Sequence, residues 1–247
     1  ITTTFTSTME LEKYNKVKED IILLSEDVKL YYMNNNELPI YNENVFDIAT
    51  YGIPQKDINP NDSDTYYAID ISLLAKDISL NNGSGNISKD FTSTDLYVVN
   101  EQSLTVYYLQ GAVLNGVKHY TIIDDFNGGS FAGDYYSNVQ LPIISVITMT
   151  SSGENENIAK VNDVITLKVL SNYEFTQKPT IVIDGEDVSN SCVWNGKVGT
   201  VSYTVKSISD SKAGTKVSLQ IYNYTADGRS GDTITDVNFD KGVYFTN

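Results

Sequence analysis

Tyr14, Val17, Ile21, Leu24, Val28 and Tyr31 recur at alternating intervals of three and four residues. That spacing puts all six on one face of an α-helix, as a stripe that must be buried against a partner surface. Glu10, Glu12, Lys13, Lys16, Glu19, Asp20, Glu26 and Lys29 are expected to cover the other faces. Ser7-Thr8-Met9-Glu10 has the form of a capping box, with Ser7 as cap and Glu10 three residues on. Asn34, Asn35 and Asn36 end the pattern, and Pro39 forbids its return.

The partner surface is expected downstream. Residues 40–65 look like a loop-rich stretch, with Gly52, Pro54 and Pro60. Tyr66 to Leu74 reads as a short apolar strand or turn leading into a short helical piece. Three strands in a meander follow: Asp95 to Asn100, Ser103 to Leu109 after the tight link Glu101-Gln102, and Val117 to Ile123 after a turn between Gly111 and Gly116. Short links between apolar runs mean antiparallel neighbours. A long amphipathic helix followed by a small antiparallel sheet is an α+β pattern, because the stripe has to be buried on the sheet.

A linker with Gly128, Gly129 and Gly133 separates this half from a different texture. From Ile143 on, short alternating runs cover Ile143 to Met149, Val164 to Leu170, Thr180 to Ile183, Gly199 to Val205, Val217 to Tyr222 and the end of the chain from Val237 to Phe245. Turns such as Asp184-Gly185 and Asp227-Gly228 divide them. Short strands with no helical stretch predict an all-β sandwich. The expected domains are therefore 1–138 and 139–247. The chain of 247 residues has room for two.

Composition narrows the chemistry. The net charge is −15 and the pI near 4.3. Phosphate backbones repel such a chain, so nucleic acid is not expected as a partner. The one cysteine, Cys192, permits neither an internal disulfide nor a Cys-based zinc site, and it reads as a small buried sandwich residue. The one histidine, His119, reads as a half-exposed strand residue. These counts remove most hydrolase triads and most transition-metal sites. The text holds no phosphate loop, no nucleophile elbow and no His-Glu-x-x-His. The expectation is a protein that is not an enzyme and carries no cofactor.

Calcium is the one metal with any footing. Asp57, Asn59, Asn61, Asp62 and Asp64 place oxygen donors as calcium loops do, but the central Gly and distal Glu of an EF-hand are missing. An acidic solvated loop is the reading preferred to a calcium site. Asp124-Asp125 beside Gly128-Gly129 reads first as a linker turn. The adjacent pairs Tyr66-Tyr67, Tyr107-Tyr108 and Tyr135-Tyr136 should each turn one ring outward. Packing is preferred to a recognition surface for them. Lys with Asn or Asp also permits intramolecular isopeptide crosslinks, at no position the sequence can fix.

The long helix ending in Leu30-Tyr31-Tyr32-Met33-Asn34-Asn35-Asn36-Glu37-Leu38-Pro39, with the hairpin from Asp95 to Gly111, resembles the soluble portion of type IV pilins and pseudopilins of Gram-positive bacteria. The likeness covers about residues 1 to 125. The second half, with Val161 to Val169, Lys178 to Gly185 and Ser202 to Val205, resembles bacterial immunoglobulin-like modules of surface proteins. The resemblance implies a pilin-like head and a sandwich, and a minor pilin as a structural or adhesive subunit of a surface fibre. It implies other pilin subunits as partners through an apolar N-terminal helix segment upstream of Ile1, which would also supply the membrane anchor before assembly. A host surface protein or glycan is the expected ligand, and the location extracellular. A pseudopilin of a secretion or competence apparatus, and a secreted glycan- or protein-binding module, are the alternatives.

Overall fold

The computed structural model describes residues 7–74, 78–82, 95–121 and 141–247. The chain is an α+β protein with a β-rich second part. It forms two compact units, Ile1–Gln140 and Leu141–Asn247.

The first unit opens with α1 (Thr8–Asn35). The Ser7 hydroxyl accepts the Glu10 amide at 3.1 Å, which satisfies one of the donors that a helix start leaves free. Asn36 closes the helix in the left-handed region at φ 56, and its amide donates to the Tyr32 carbonyl at 2.7 Å. Five strands follow: β1 (Ile40–Phe46), β2 (Tyr66–Ile69), β3 (Tyr97–Asn100), β4 (Val106–Leu114) and β5 (Val117–Thr121). They pair antiparallel in chain order, so β1 and β5 are the two edges.

This sheet is larger than the three expected strands. The segment expected to be loop contributes β1 and two short 3-10 turns, Ile48–Tyr51 and Gln55–Asp57. The reason lies in what it covers. Alternation along β3 and β4 sends Tyr97 and Tyr108 toward α1 and Leu96, Val98, Tyr107 and Leu109 to the other face. Phe46, Ile48 and Ile53 pack on that second face. A sheet covered on both sides has no outward rings, so Tyr107 and Tyr108 are both buried, against the expectation that one would turn out. Tyr66 is buried and Tyr67 half-buried, and Tyr135-Tyr136 lie outside the described residues.

The helix stripe holds at its centre. Val17, Ile21, Leu24 and Val28 are fully buried, while Tyr14 and Tyr31 are half-buried at its ends. Two residues expected on exposed faces are also buried, Asp20 and Lys29. Asp20 stands three residues after Val17 and four before Leu24, so the helix turns it toward the sheet. Its carboxylate accepts the amides of Asn81 at 2.6 Å and Asn82 at 2.9 Å and the Tyr97 hydroxyl at 2.9 Å. These bonds offset the desolvation of the charge. Burial, and next the Asp20 charge, push the Tyr97 phenol far above its ordinary range.

The β4–β5 turn is Asn115-Gly116, with φ 52 and 78, rather than a turn starting at Gly111. Two successive left-handed residues make the hairpin turn that matches strand twist. Gly111 lies inside β4 at φ 67, where the register to β5 shifts.

The second unit holds β6 (Ile144–Ser151), β7 (Ile158–Ala159), β8 (Val164–Ser171), β9 (Phe175–Gln177), β10 (Thr180–Ile183), β11 (Glu186–Asp187), β12 (Val193–Asn195), β13 (Val198–Thr204), β14 (Leu219–Tyr222), β15 (Thr225–Ala226), β16 (Arg229–Ser230) and β17 (Tyr244–Phe245). One sheet runs β12-β13-β8-β6, and shorter ones run β11-β10-β14 and β16-β15-β9. Ile147, Leu167 and Val201 from the first meet Ile181, Ile183, Leu219 and Ile221 from the second in one core. Asp184-Gly185 and Asp227-Gly228 form the expected tight turns, each with two successive positive φ values.

The strand expected over Val237 to Phe245 reduces to β17, paired parallel with β7. Upstream of it, side chains take the place of a ladder along β6. Asn238 Oδ1 accepts the Ile147 amide and Asp240 Oδ2 the Met149 amide, both at 2.8 Å. Asn and Asp compete in this way with regular backbone pairing.

Leu24→Ala should cost about 2–5 kcal/mol in urea unfolding, while Leu11→Ala, at an exposed position of the same helix, should stay within about 0.5 kcal/mol. Burial pushes the Lys29 ammonium down to about 7, with Glu26 opposing. In the unfolded chain the same group titrates near 10.4. Between these values the unfolded chain binds the extra proton, so stability should rise with pH from about 7 to about 10.4. Lys29→Met should flatten that rise when unfolding is compared near pH 7 and near pH 10.

Candidate functional site

The loop from Asp57 to Asp64 is the densest run of candidate ligands, and it folds onto the sheet face opposite α1. The Asn59 amide donates to the Tyr107 hydroxyl at 2.9 Å. Its side-chain Nδ2 donates to Thr105 Oγ1 at 2.9 Å, and its Oδ1 accepts from the Asn61 amide at 3.0 Å and from Asn61 Nδ2 at 3.2 Å. Asp62 Oδ2 accepts the hydroxyls of Tyr107 at 2.6 Å and Tyr66 at 2.9 Å, and Oδ1 accepts the Ser103 hydroxyl. Asp57 is buried and Asp64 exposed.

The solvated acidic loop expected here is therefore half internal. Asp57 and Asn59 are buried at 3% and 2% exposure, because the loop forms the cover of the sheet's second face. Asn59 and Asp62 direct their oxygens at amides and hydroxyls of the protein itself. Among the described residues, no group of three or more His, Cys, Asp or Glu is gathered as metal ligands. Asp124-Asp125 lie outside the described residues.

Beneath the loop, Asn100 acts as a buried tie. Its Nδ2 donates to the carbonyls of Ser63 at 2.8 Å and Thr65 at 3.2 Å, and its Oδ1 accepts the amides of Gln102, Ser103 and Ser63. Together these residues leave an open depression of about 480 Å³, lined by Asp47, Gln55, Asn59, Asp62, Asp64 and Tyr66 among others. Burial, then the charge of Asp62, hold the Tyr66 phenol well above its ordinary range. It stays a hydrogen-bond donor near neutral pH. The arrangement can accept cationic or hydroxyl groups through Asp47 and Asp64, and it leaves Tyr66 without nucleophilic character.

A second acidic depression, of about 580 Å³, lies where α1 ends against β1. Glu37, Glu43 and Glu101 surround Tyr32 and Tyr67 there. Burial, and next Glu101, raise the Tyr32 phenol. No sequence motif marks this site. Its signal was Glu37 directly after the helix cap, but Glu43 and Glu101 join it only through the β1-β2-β3 pairing.

His119 is half-buried with its ring 5.7 Å from Tyr14, edge to face. Burial and then Lys56 push it below its ordinary value. Cys192 is half-buried rather than fully so, and burial pushes its thiol up to about 11. It is a thiol, not a nucleophilic thiolate, near neutral pH. In the same unit Trp194 packs edge-on to Phe175 at 4.8 Å and covers Gly199, where a Cβ would stand 2.7 Å from the indole. Lys212 pairs with Asp184 at 2.7 Å as a partly exposed ion pair.

Among the described residues no helix is long and apolar enough to cross a membrane. Compared with family models, with curated proteins and with solved structures, the chain matches none.

Asp62→Ala should lower stability by about 2–3 kcal/mol, because three hydroxyl donors lose a charged acceptor. Calcium at about 1 mM should leave the urea midpoint unchanged, since the central oxygens are already engaged. A calcium-dependent rise in the midpoint would instead place an ion on Asp57, Asn61 or Asp64.

Proposed function

We propose that the chain is a non-catalytic structural or adhesive subunit of a type IV pilus-like surface fibre. In this reading it is a minor pilin whose immunoglobulin-like second unit projects outward. The observation that carries the reading is α1 itself. Its central stripe is buried on one sheet from Val17 to Met33, while Met9 and Leu11 in its first turn are exposed at 81% and 45%. A helix of this kind suits a head whose helical lead runs on into other subunits.

Two further observations support a non-catalytic role. Asn59 and Asp62 at the centre of the Asp57 to Asp64 loop are engaged in holding the fold, and the thiol of Cys192 is unactivated. The partners of the reading are other pilin subunits, and at the tip a host protein or glycan. The location is extracellular, with a membrane anchor before assembly.

The test is the full gene product and its destination. A short basic leader followed by about 20 apolar residues should precede Ile1. Antibody against the second unit should label fibres sheared from the cell surface. Recovery of the protein only as a free secreted species, with a cleavable signal running directly into Ile1, would overturn the reading.

A further inference from the structure

In the second unit the first and last segments lie side by side and run in the same direction. Asn238 meets β6 at Ser145 and Ile147. Its Nδ2 donates to the Ser145 carbonyl at 2.9 Å, its Oδ1 accepts the Ile147 amide at 2.8 Å, and its own amide donates to the Ile147 carbonyl at 3.3 Å. Asp240 then accepts the amide of Met149 at 2.8 Å. Residue numbers rise together on both sides, so the 238–240 segment runs parallel to β6. The parallel course continues where β17 meets β7, with Tyr244 beside Ile158 and Phe245 beside Ala159. The Tyr244 amide donates to the Asn157 carbonyl and the Thr246 amide to the Ala159 carbonyl, both at 2.9 Å. Asn157 Nδ2 adds a bond to the Gly242 carbonyl at 3.1 Å.

Both segments are rooted in the core. Ile147, Met149 and Ala159 from one and Val243 and Phe245 from the other belong to the same buried cluster. β6 is also held along its other edge by β8, from Ile144 to Ser151. β17 is held on its far side too, where the Phe245 amide donates to the Thr215 carbonyl and the Val217 amide to the Val243 carbonyl.

Direction decides how this contact responds to tension. A pull on the chain before β6 draws that strand backward, and a pull on Asn247 draws β17 forward. Parallel neighbours drawn in this way slide along each other, and every bond between them shares the load. An antiparallel pair would be loaded from one end, and its bonds would break one after another. Forced unfolding is governed by the unfolding rate rather than by equilibrium stability, so a contact that must break all at once resists force beyond its net worth at equilibrium.

We propose that the second unit is built to bear tension along the chain, with the parallel contact of its first and last segments as the clamp. The property belongs to the unit itself, beyond the fibre reading and independent of it.

Single-molecule pulling on the full chain tests it, in a Cys192→Ser background with handles on introduced cysteines. The pair Pro142→Cys and Asn247→Cys loads the contact along its length. The pair Pro142→Cys and Thr235→Cys loads the same contact across its beginning. All three positions are exposed, and the first unit stays outside the load path in both arrangements. At equal loading rate the first pair should require the higher unfolding force. Asn238→Ala/Asp240→Ala should raise the unfolding rate under load at least about tenfold through the first pair, because several bonds of modest net worth are lost together. It should bring the two pairs closer, with the circular dichroism spectrum unchanged. The comparison of the two pairs in the unsubstituted clamp stands even where that variant does not fold. Equal forces through both pairs, or a folded variant whose rate through the first pair is unchanged, would overturn the clamp. Fibre labelling together with equal forces would overturn the clamp and leave the fibre reading standing, whereas a free secreted protein with a large difference in force would do the reverse.

Discussion

The first unit depends on a sheet that is buried from both sides. β3 and β4 carry apolar or aromatic side chains at nearly every position, so neither face can be left to water. One face takes the stripe of α1, and the other takes Phe46, Ile48 and Ile53 from the segment before β2. Without that second cover, Tyr107, Leu109 and Val98 would stand exposed. The same demand explains why the Asp57 to Asp64 loop lies inward.

Covering a sheet with irregular chain brings polar backbone and side chains out of water, and each must find a partner. Asn100 and Asp62 answer this on one face and Asp20 on the other. Asp20 is the more consequential, because a carboxylate in the middle of an amphipathic stripe would otherwise oppose packing. Its three donors come from the Asn81-Asn82 turn and from β3, so helix, turn and sheet are fixed to one atom group. Packing alone leaves a helix free to slide by a turn along a sheet. A buried carboxylate with fixed donors removes that freedom.

The second unit solves the edge problem differently. Along β6 it places Asn238 and Asp240 where a neighbouring strand would bond, and so ends the sheet with side chains. In the first unit the edge strands are β1 and β5.

The sequence alone determined the elements whose signals are local. The 3–4 spacing from Tyr14 to Tyr31, the Ser7 cap and the Asn36 stop defined α1, and Asp184-Gly185 and Asp227-Gly228 defined turns, because backbone sterics act within a few residues. What only the tertiary structure decided were the long-range partners. β1 has the composition of a loop and becomes a strand because β2 needs an edge neighbour. Asp20 and Lys29 look like solvent residues and are buried because the helix meets the sheet on more than its apolar stripe. The calcium candidates Asp57, Asn59, Asn61, Asp62 and Asp64 have the right atoms, but Asn59 and Asp62 are held by the Tyr107 hydroxyl, 48 and 45 residues away in sequence. Glu37, Glu43 and Glu101 become one site only through strand pairing. Periodicity and turn chemistry are local properties of a chain, whereas the neighbours of a charge are set when distant segments pack.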